Sequence, residues 1–229
     1  DQPRSRGLGD VYKRQIQSGV LVLLKNLISS SSKPFVALEL LGCLSDTSKN
    51  VLEPLEDLWH RTDDTTTQLR IARIYVALLR SVFGSDKGEE SMHRLAEESA
   101  MLSTKLDAAY KHAEGKLCCP SVVKALCHLL CHSQQHTVLQ NEGLLGLIFL
   151  IRSTYADAFI VETIFQESSS PTSGMFACVM EALLYILRTA PAQVASNAYV
   201  LWLLLEKDER VSEWRARIED AWSKCAHQM

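Results

Sequence analysis

Apolar residues recur every three to four positions along most of the chain, the spacing of helices that bury one face. Val20, Leu23, Leu24 and Leu27 share one side of a first helix. The stretch SSSSKP (Ser29–Pro34) breaks it, and Pro34 suits the first turn of a second helix, where Val36, Leu40, Leu41 and Leu44 repeat the pattern. Val51, Leu55, Leu58 and Trp59 form a third face, with Pro54 in its first turn. The loop Arg61–Thr67 offers N-cap residues, and Leu69 to Val82 reads as a strong helix ended by Gly84. Ser91 to Glu114 is more charged and reads as one long, partly exposed helix. Pro120 opens a helix carrying Val122, Val123, Leu126, Leu129 and Leu130. Val138–Ile151, Ala156–Phe165, Met175–Leu187 and Val194–Leu205 follow, then an amphipathic helix over Val211–Ala226. Glu167–Gly174 is the clearest loop. The β-branched runs are short and no Asn-Gly or Asp-Gly hairpin signal occurs, so the expected fold class is all-α without a sheet.

Helix pairs in series invite a search for repeats. Three apolar runs close alike: LLRS (Leu78–Ser81), LIRST (Leu150–Thr154) and ILRT (Ile186–Thr189). Their arginines, Arg80, Arg152 and Arg188, are separated by 72 and then 36 residues. Written without a gap, Leu117–Arg152 stands over Ser153–Arg188 with apolar residues aligned at the end, and Lys116 and Lys224 fall on the same period. The reading is a repeated corner, with equivalent positions stacking into a line.

The segment Ile16–Asp46 resembles an armadillo repeat: a glycine before a leucine-rich helix, a short serine-rich break, then a helix with an Ala-Leu-x-x-Leu core. Gly19, Leu23, Leu24, Leu27, Ser30, Ala37, Leu38 and Leu41 match that pattern, and Asn141–Ile151 echoes its Gly-plus-leucine portion. The resemblance covers Ile16 to Leu205. It implies an armadillo/HEAT-like α-solenoid of stacked helix pairs that binds a partner along a concave surface. The period is shorter than the roughly 40–47 residues of armadillo or HEAT units, which favours degenerate helix pairs over three-helix repeats. Peptide-binding members carry an Asn near the end of the concave helix. The corresponding LGCLS, ALLRS, FLIRS and YILRT have none, which puts an importin-like grip on a basic peptide in doubt.

With 229 residues, the chain is long enough to bury a core. A net charge of −3 argues against a broad nucleic-acid-binding surface while leaving room for a local basic stripe. The longest apolar run, Leu144–Ile151, is far short of the roughly 20 residues of a membrane span. Seven cysteines without a framework spacing read as reduced thiols, hence an intracellular protein of cytoplasm or nucleus. Residues 1–15, DQPRSRGLGDVYKRQ, lack the apolar periodicity that begins at Ile16, and GLGDVYKRQ resembles translated sequencing-adapter DNA. They are expected to be non-native or disordered. Residues 16–229 then form a single helical-repeat domain, read as part of a larger protein because the chain does not begin with Met.

Candidate chemistry is sparse. Arg80, Arg152 and Arg188 would make a basic ridge for an acidic peptide, a phosphoprotein or a nucleic-acid backbone. Arginine in a last helical turn also meets exposed carbonyls and the negative dipole end, and that local role is favoured. In the segment Leu117–His136, Cys127 and Cys131 share a helix face, but Val123, Leu126, Cys127 and Leu130 lie on its apolar side. Lys124, His128 and His132 line the opposite side, so core cysteines and solvated histidines are expected rather than a zinc site. Cys119 before Pro120 sits where a helix N-terminus can lower a thiol pKa, without an assignable acid–base partner. The last helix carries Val211, Trp214, Ile218 and Trp222 on one stripe, with i,i+4 pairs Glu213–Arg217 and Arg215–Glu219. Left exposed, Trp214 and Trp222 would dock a partner; packed inward, they cap the array. Glu89–Glu90 and Glu97–Glu98 read as a solvated face, and Ser168–Pro171 as a modifiable loop. No phosphate cradle, nucleophile elbow or zinc-protease motif occurs.

The expectation is therefore a non-catalytic scaffold or adaptor, without cofactor or metal, whose partner is a protein rather than a membrane. A nucleic-acid- or chromosome-associated helical-repeat subunit, meiotic ones included, is the first alternative. A metal or thiol enzyme built on residues 118–136 is the second.

Overall fold

In a computed structural model of the chain, the described residues are 4–30, 35–44, 50–84, 100–133, 136–153, 157–166 and 174–227. They hold eleven α-helices and no strand. These are α1 (Arg4–Ser30), α2 (Phe35–Leu40), α3 (Leu52–Arg61), α4 (Thr65–Phe83), α5 (Ala100–Leu117) and α6 (Pro120–His132). Then come α7 (Thr137–Arg152), α8 (Asp157–Gln166), α9 (Met175–Thr189), α10 (Ala192–Leu205) and α11 (Ser212–Ala226), the last entered through a 3-10 turn at Glu209–Val211. The clusters Glu89–Glu90 and Glu97–Glu98 and the segment Ser168–Pro171 lie outside the described residues.

Local chemistry explains where several helices start and stop. Asp64 caps α4: its carboxylate accepts from the Thr67 backbone N–H at 2.9 Å, filling one of the orphan donors of a helix start. Pro120 opens α6, where its missing N–H costs nothing. α2 ends at Gly42, whose φ of 63° suits glycine. Its N–H reaches Glu39 O at 2.8 Å while Cys43 N–H reaches Leu38 O at 2.8 Å, the paired bonds that close a helix C-terminus. Lys116 at the end of α5 adds an ammonium to that site, donating to Leu41 O at 2.7 Å.

The helices pack in two successions. α1, α4, α7 and α10 are neighbours in turn. Against them lie α6, between α4 and α7, then α9 and α11, also neighbours in turn. α4 is buried almost all round, with Ile71, Ala72, Ile74, Tyr75, Leu78 and Leu79 in the core. Burying a side chain of this kind is worth about 1.5–3 kcal/mol, so the core outweighs any surface ion pair in the molecule. α6 packs closely on α7. A Cβ on Gly143 would stand 3.1 Å from Leu130 N and 3.3 Å from Leu126 O, so the absence of a side chain lets the two backbones approach.

Three expectations change. First, the buried side of α1 is Leu21, Leu24 and Ile28, whereas Val20, Leu23 and Leu27 are exposed. The apolar arc of that helix is wide, so periodicity alone did not select the part that is buried. Second, Arg4 to Gln15 continue α1 without a break, so the change of pattern at Ile16 marks no helix boundary. Third, the 36-residue register superposes α7 on α9, which belong to different successions. Both helices are apolar and end in arginine, which is why they align. The pair α6–α7 recurs instead as α9–α10, starting 55 residues later in each case (Pro120 to Met175, Thr137 to Ala192), with the short α8 between the pairs.

Gly143→Val is expected to lower the unfolding free energy by about 1–3 kcal/mol, because the added atoms meet backbone rather than a yielding side chain. Gly115, with nothing within 4 Å of an added Cβ, should behave oppositely. Gly115→Ala should stabilise α5 by roughly 0.5–1 kcal/mol in urea denaturation, the usual difference between the two residues inside a helix.

Candidate protein-docking face

A polar seam crosses the succession α1–α4–α7–α10. Arg70 of α4 donates to the Ser18 hydroxyl of α1. Arg73 of α4 grips Glu142 of α7 through two bonds, Nε to Oε2 at 2.8 Å and Nη2 to Oε1 at 3.3 Å. The Asn197 side-chain amide of α10 donates to Asn141 Oδ1 of α7 at 2.7 Å. The Glu142 side chain is only 14% exposed, so its two-pronged bond to Arg73 is partly shielded from water and stronger than a typical surface pair. Asn141 and Asn197 both lie in the first halves of their helices, and Ile151, Leu204 and Leu205 from the last turns line one cavity, so α7 and α10 run the same way. Arg73 stands at the midpoint of α4 and faces the first half of α7.

Arg80 in the last turn of α4 and Arg152 in the last turn of the neighbouring α7 are both exposed. Lys207, just past α10, is exposed too. Arg188 is exposed but closes α9, in the other succession, and so does not extend this line. Among the described residues, none of these four side chains has an ion-pair partner. The arginine series is thus two residues and a lysine. Lys207 was not legible from the sequence, because its place depends on α10 being the counterpart of α7. The Asn141–Asn197 pair was missed for the same reason: the two lie in first halves of helices, 56 residues apart. Between the seam and the basic side, Leu145 and Phe149 of α7 are half-buried.

The tryptophans of α11 face inward or sideways. Trp214 is 5% exposed and meets Phe176 edge-on at 6.4 Å, while the Arg217 guanidinium lies 4.5 Å from its ring. Trp222 is half-buried and stacked on Tyr199 at 4.2 Å. A docking role for Trp214 would need an exposed ring, which the structure does not offer. The expected pairs along α11 are also redirected. Arg217 bonds Glu181 of α9 at 2.8 Å, Arg215 reaches Glu206 O at 3.4 Å, and Glu213 accepts from the Trp214 indole. Packing α11 onto α9 brings Glu181 nearer to Arg217 than its own helix neighbour.

A second polar knot joins α8 to the 3-10 turn. Arg210 bonds Asp208 at 2.9 and 2.8 Å and Glu162 at 3.1 Å, and its guanidinium lies 3.9 Å over the Phe165 ring. Hydrogen bonds from Arg210 hold the Asp208 carboxyl below its ordinary pKa. These acids are neutralised locally, and the knot reads as a strut.

The cysteines of the Cys/His segment are buried or half-buried. Cys127 is fully buried and Cys131 half-buried, and burial pushes the Cys131 thiol up to about 12. Burial likewise raises Cys119, outweighing the helix N-terminus expected to lower it. Cys118 Sγ lies 3.2 Å from the Ser153 hydroxyl, and burial raises its pKa too. Among the described residues, no three His, Cys, Asp or Glu side chains are placed to hold a metal ion. His128 differs from the solvated residue expected. It is half-buried, with Trp59 edge-on at 5.3 Å and His132 stacked at 3.9 Å, and its Nε2 is buried without a hydrogen-bond partner. Trp59 of α3 covers it, a contact the spacing within α6 cannot reveal. Among the described residues no helix is long and apolar enough to cross a membrane.

Burial, and then the neighbouring His132, depress the His128 pKa to about 4. Its folded value lies below the unfolded value of about 6.5, so the unfolded chain takes up its proton first. The contribution of the neutral ring is complete above pH of about 6.5 and is lost as pH falls towards about 4. Thermal unfolding at stepped pH should show this loss in the native chain and a flatter profile over the same window in His128→Gln. No family model matches this chain, and the searches of curated proteins and of solved structures return no match either.

Proposed function

We propose that the chain is a non-catalytic interaction scaffold, an armadillo-like α-solenoid whose α4–α7–α10 face receives an acidic segment of a partner protein. The observation that carries this reading is that Arg80 and Arg152 occupy the last turns of neighbouring helices, exposed and without ion-pair partners among the described residues. Helices packed side by side lie about 8–10 Å apart. An extended peptide rises about 3.3 Å per residue, so acidic groups roughly three residues apart match that spacing. The recurrence of the α6–α7 pair as α9–α10 supports the solenoid reading, since successive units then contact mainly their neighbours. The bonded seam supports it as well, by fixing the positions of the helices that carry the cations.

The test is fluorescence anisotropy with a labelled Glu-rich peptide, beside a duplex DNA of mixed sequence. Arg80→Glu combined with Arg152→Glu should weaken peptide binding at least about tenfold, a change of about 1.4 kcal/mol. Arg188→Glu, on the other succession, should leave it within about twofold, below about 0.5 kcal/mol. Equal losses in the two variants would reduce the effect to net charge and sink the docking face. Tighter binding to DNA than to peptide, with steep salt dependence, would move the function to nucleic acid.

A further inference from the structure

A cavity of about 340 Å³ opens where α7 and α10 end against α8. Its walls are aliphatic: Ile151 from the last turn of α7, Leu204 and Leu205 from the last turn of α10, and Val161 of α8. Ile151 and Leu205 are buried and form the floor, while Val161 and Leu204 are half-buried and lie nearer the mouth. The volume stands at the small end of the roughly 300–1,000 Å³ range of ligand pockets, room for one large side chain rather than for a bulky cofactor. Such a side chain would leave water for aliphatic surroundings on several sides at once, the setting in which an anchor residue dominates a contact.

Charge around the cavity is divided. Asp208 and Glu162 line it, and both bond Arg210, so these acids already hold a cation. Lys207 lines it too and has no ion-pair partner among the described residues. Arg152, next in the chain to the lining Ile151, is exposed and equally unpaired among them. The uncommitted charge is therefore positive and belongs to the α7–α10 side. The lining itself, with two acids and two bases, sums to zero, which leaves the interior to an uncharged group. We infer that the cavity receives one leucine-sized apolar side chain of the partner's acidic segment, an anchor flanked by carboxylates that meet Lys207 and Arg152. The anchor presupposes the acidic-segment face and adds a sequence class to it: Glu or Asp on both sides of a Leu. Apolar burial supplies the attraction, and the two cations fix the register of the segment.

The probe is a Glu-rich peptide with one central leucine, compared with a twin carrying serine there, by fluorescence anisotropy on the full chain. The leucine peptide should bind at least about tenfold more tightly than its twin. Val161→Phe adds bulk at the half-buried wall and should erase that preference, so that both peptides bind as the serine twin does. A thermal melt of this variant checks that it folds. A second readout needs no variant: a diazirine analogue of leucine at the central position should crosslink, on illumination, to Ile151, Val161, Leu204 or Leu205. Equal binding of the leucine and serine peptides would overturn the anchor and leave the acidic-segment face standing. Crosslinks confined to the exposed leucines of α1 would overturn it too. If neither peptide binds, the acidic-segment face falls and the anchor falls with it.

Discussion

The approach of α6 to α7 is the contact on which the other positions depend. Gly143 stands where a side chain would meet the α6 backbone, and Gly146 where one would meet Leu126. Closing that distance places α6 in the groove between α4 and α7. α4 and α7 are then spaced by α6 as well as by their own contact, and the Arg73–Glu142 bond has a fixed span to cross. α10 continues from α7 through Asn141 and Asn197. The energy lies in the apolar burial, and the polar seam contributes register: a bidentate or amide bond is satisfied at one offset and broken at the next.

Helices were the legible part of the sequence. An apolar stripe at 3.6-residue spacing, bounded by a capping Asp64, an opening Pro120 or a closing Gly84, identifies an element from purely local chemistry. Partnership between helices was not local. Arg152 and Arg188 end apolar helices in the same way, so a gapless comparison equates them, and only packing shows that α7 and α9 lie in different successions. His128 illustrates the same limit on a smaller scale. Its spacing with Lys124 and His132 describes one face of α6, and Trp59, from a different helix, decides that the face is partly covered.

The proposed docking face was half legible. Arg80 and Arg152 stood out because a repeated motif marks them. Lys207 has no motif and enters only through geometry, and Trp214 left the candidate set because α11 packs its ring against Phe176. The local and the functional readings of the arginines remain compatible. A guanidinium that settles against the carbonyl end of its own helix keeps donors free for a carboxylate. A last-turn position therefore does not use up an arginine, provided no acid of the chain claims it. Arg210 is the counterexample: Asp208 and Glu162 both hold it.

The first and last described helices differ in a way that packing explains. A helix in a stacked series needs apolar residues on each side that meets a neighbour, and a terminal helix needs them on one side only. α11 obeys the terminal rule. Its inward stripe is tied to the array by Trp214 on Phe176 and by Arg217 on Glu181, while its remaining positions are charged or small. α1 differs: Leu21 and Ile28 are buried, and Ile16, Val20, Leu23 and Leu27 form an exposed apolar stripe beside them. Scattered exposed leucines are ordinary on a protein surface and call for no explanation. Four on one side of one helix, continuous with Phe35 and Leu44 on its neighbour, form a patch of the kind that marks an interaction site.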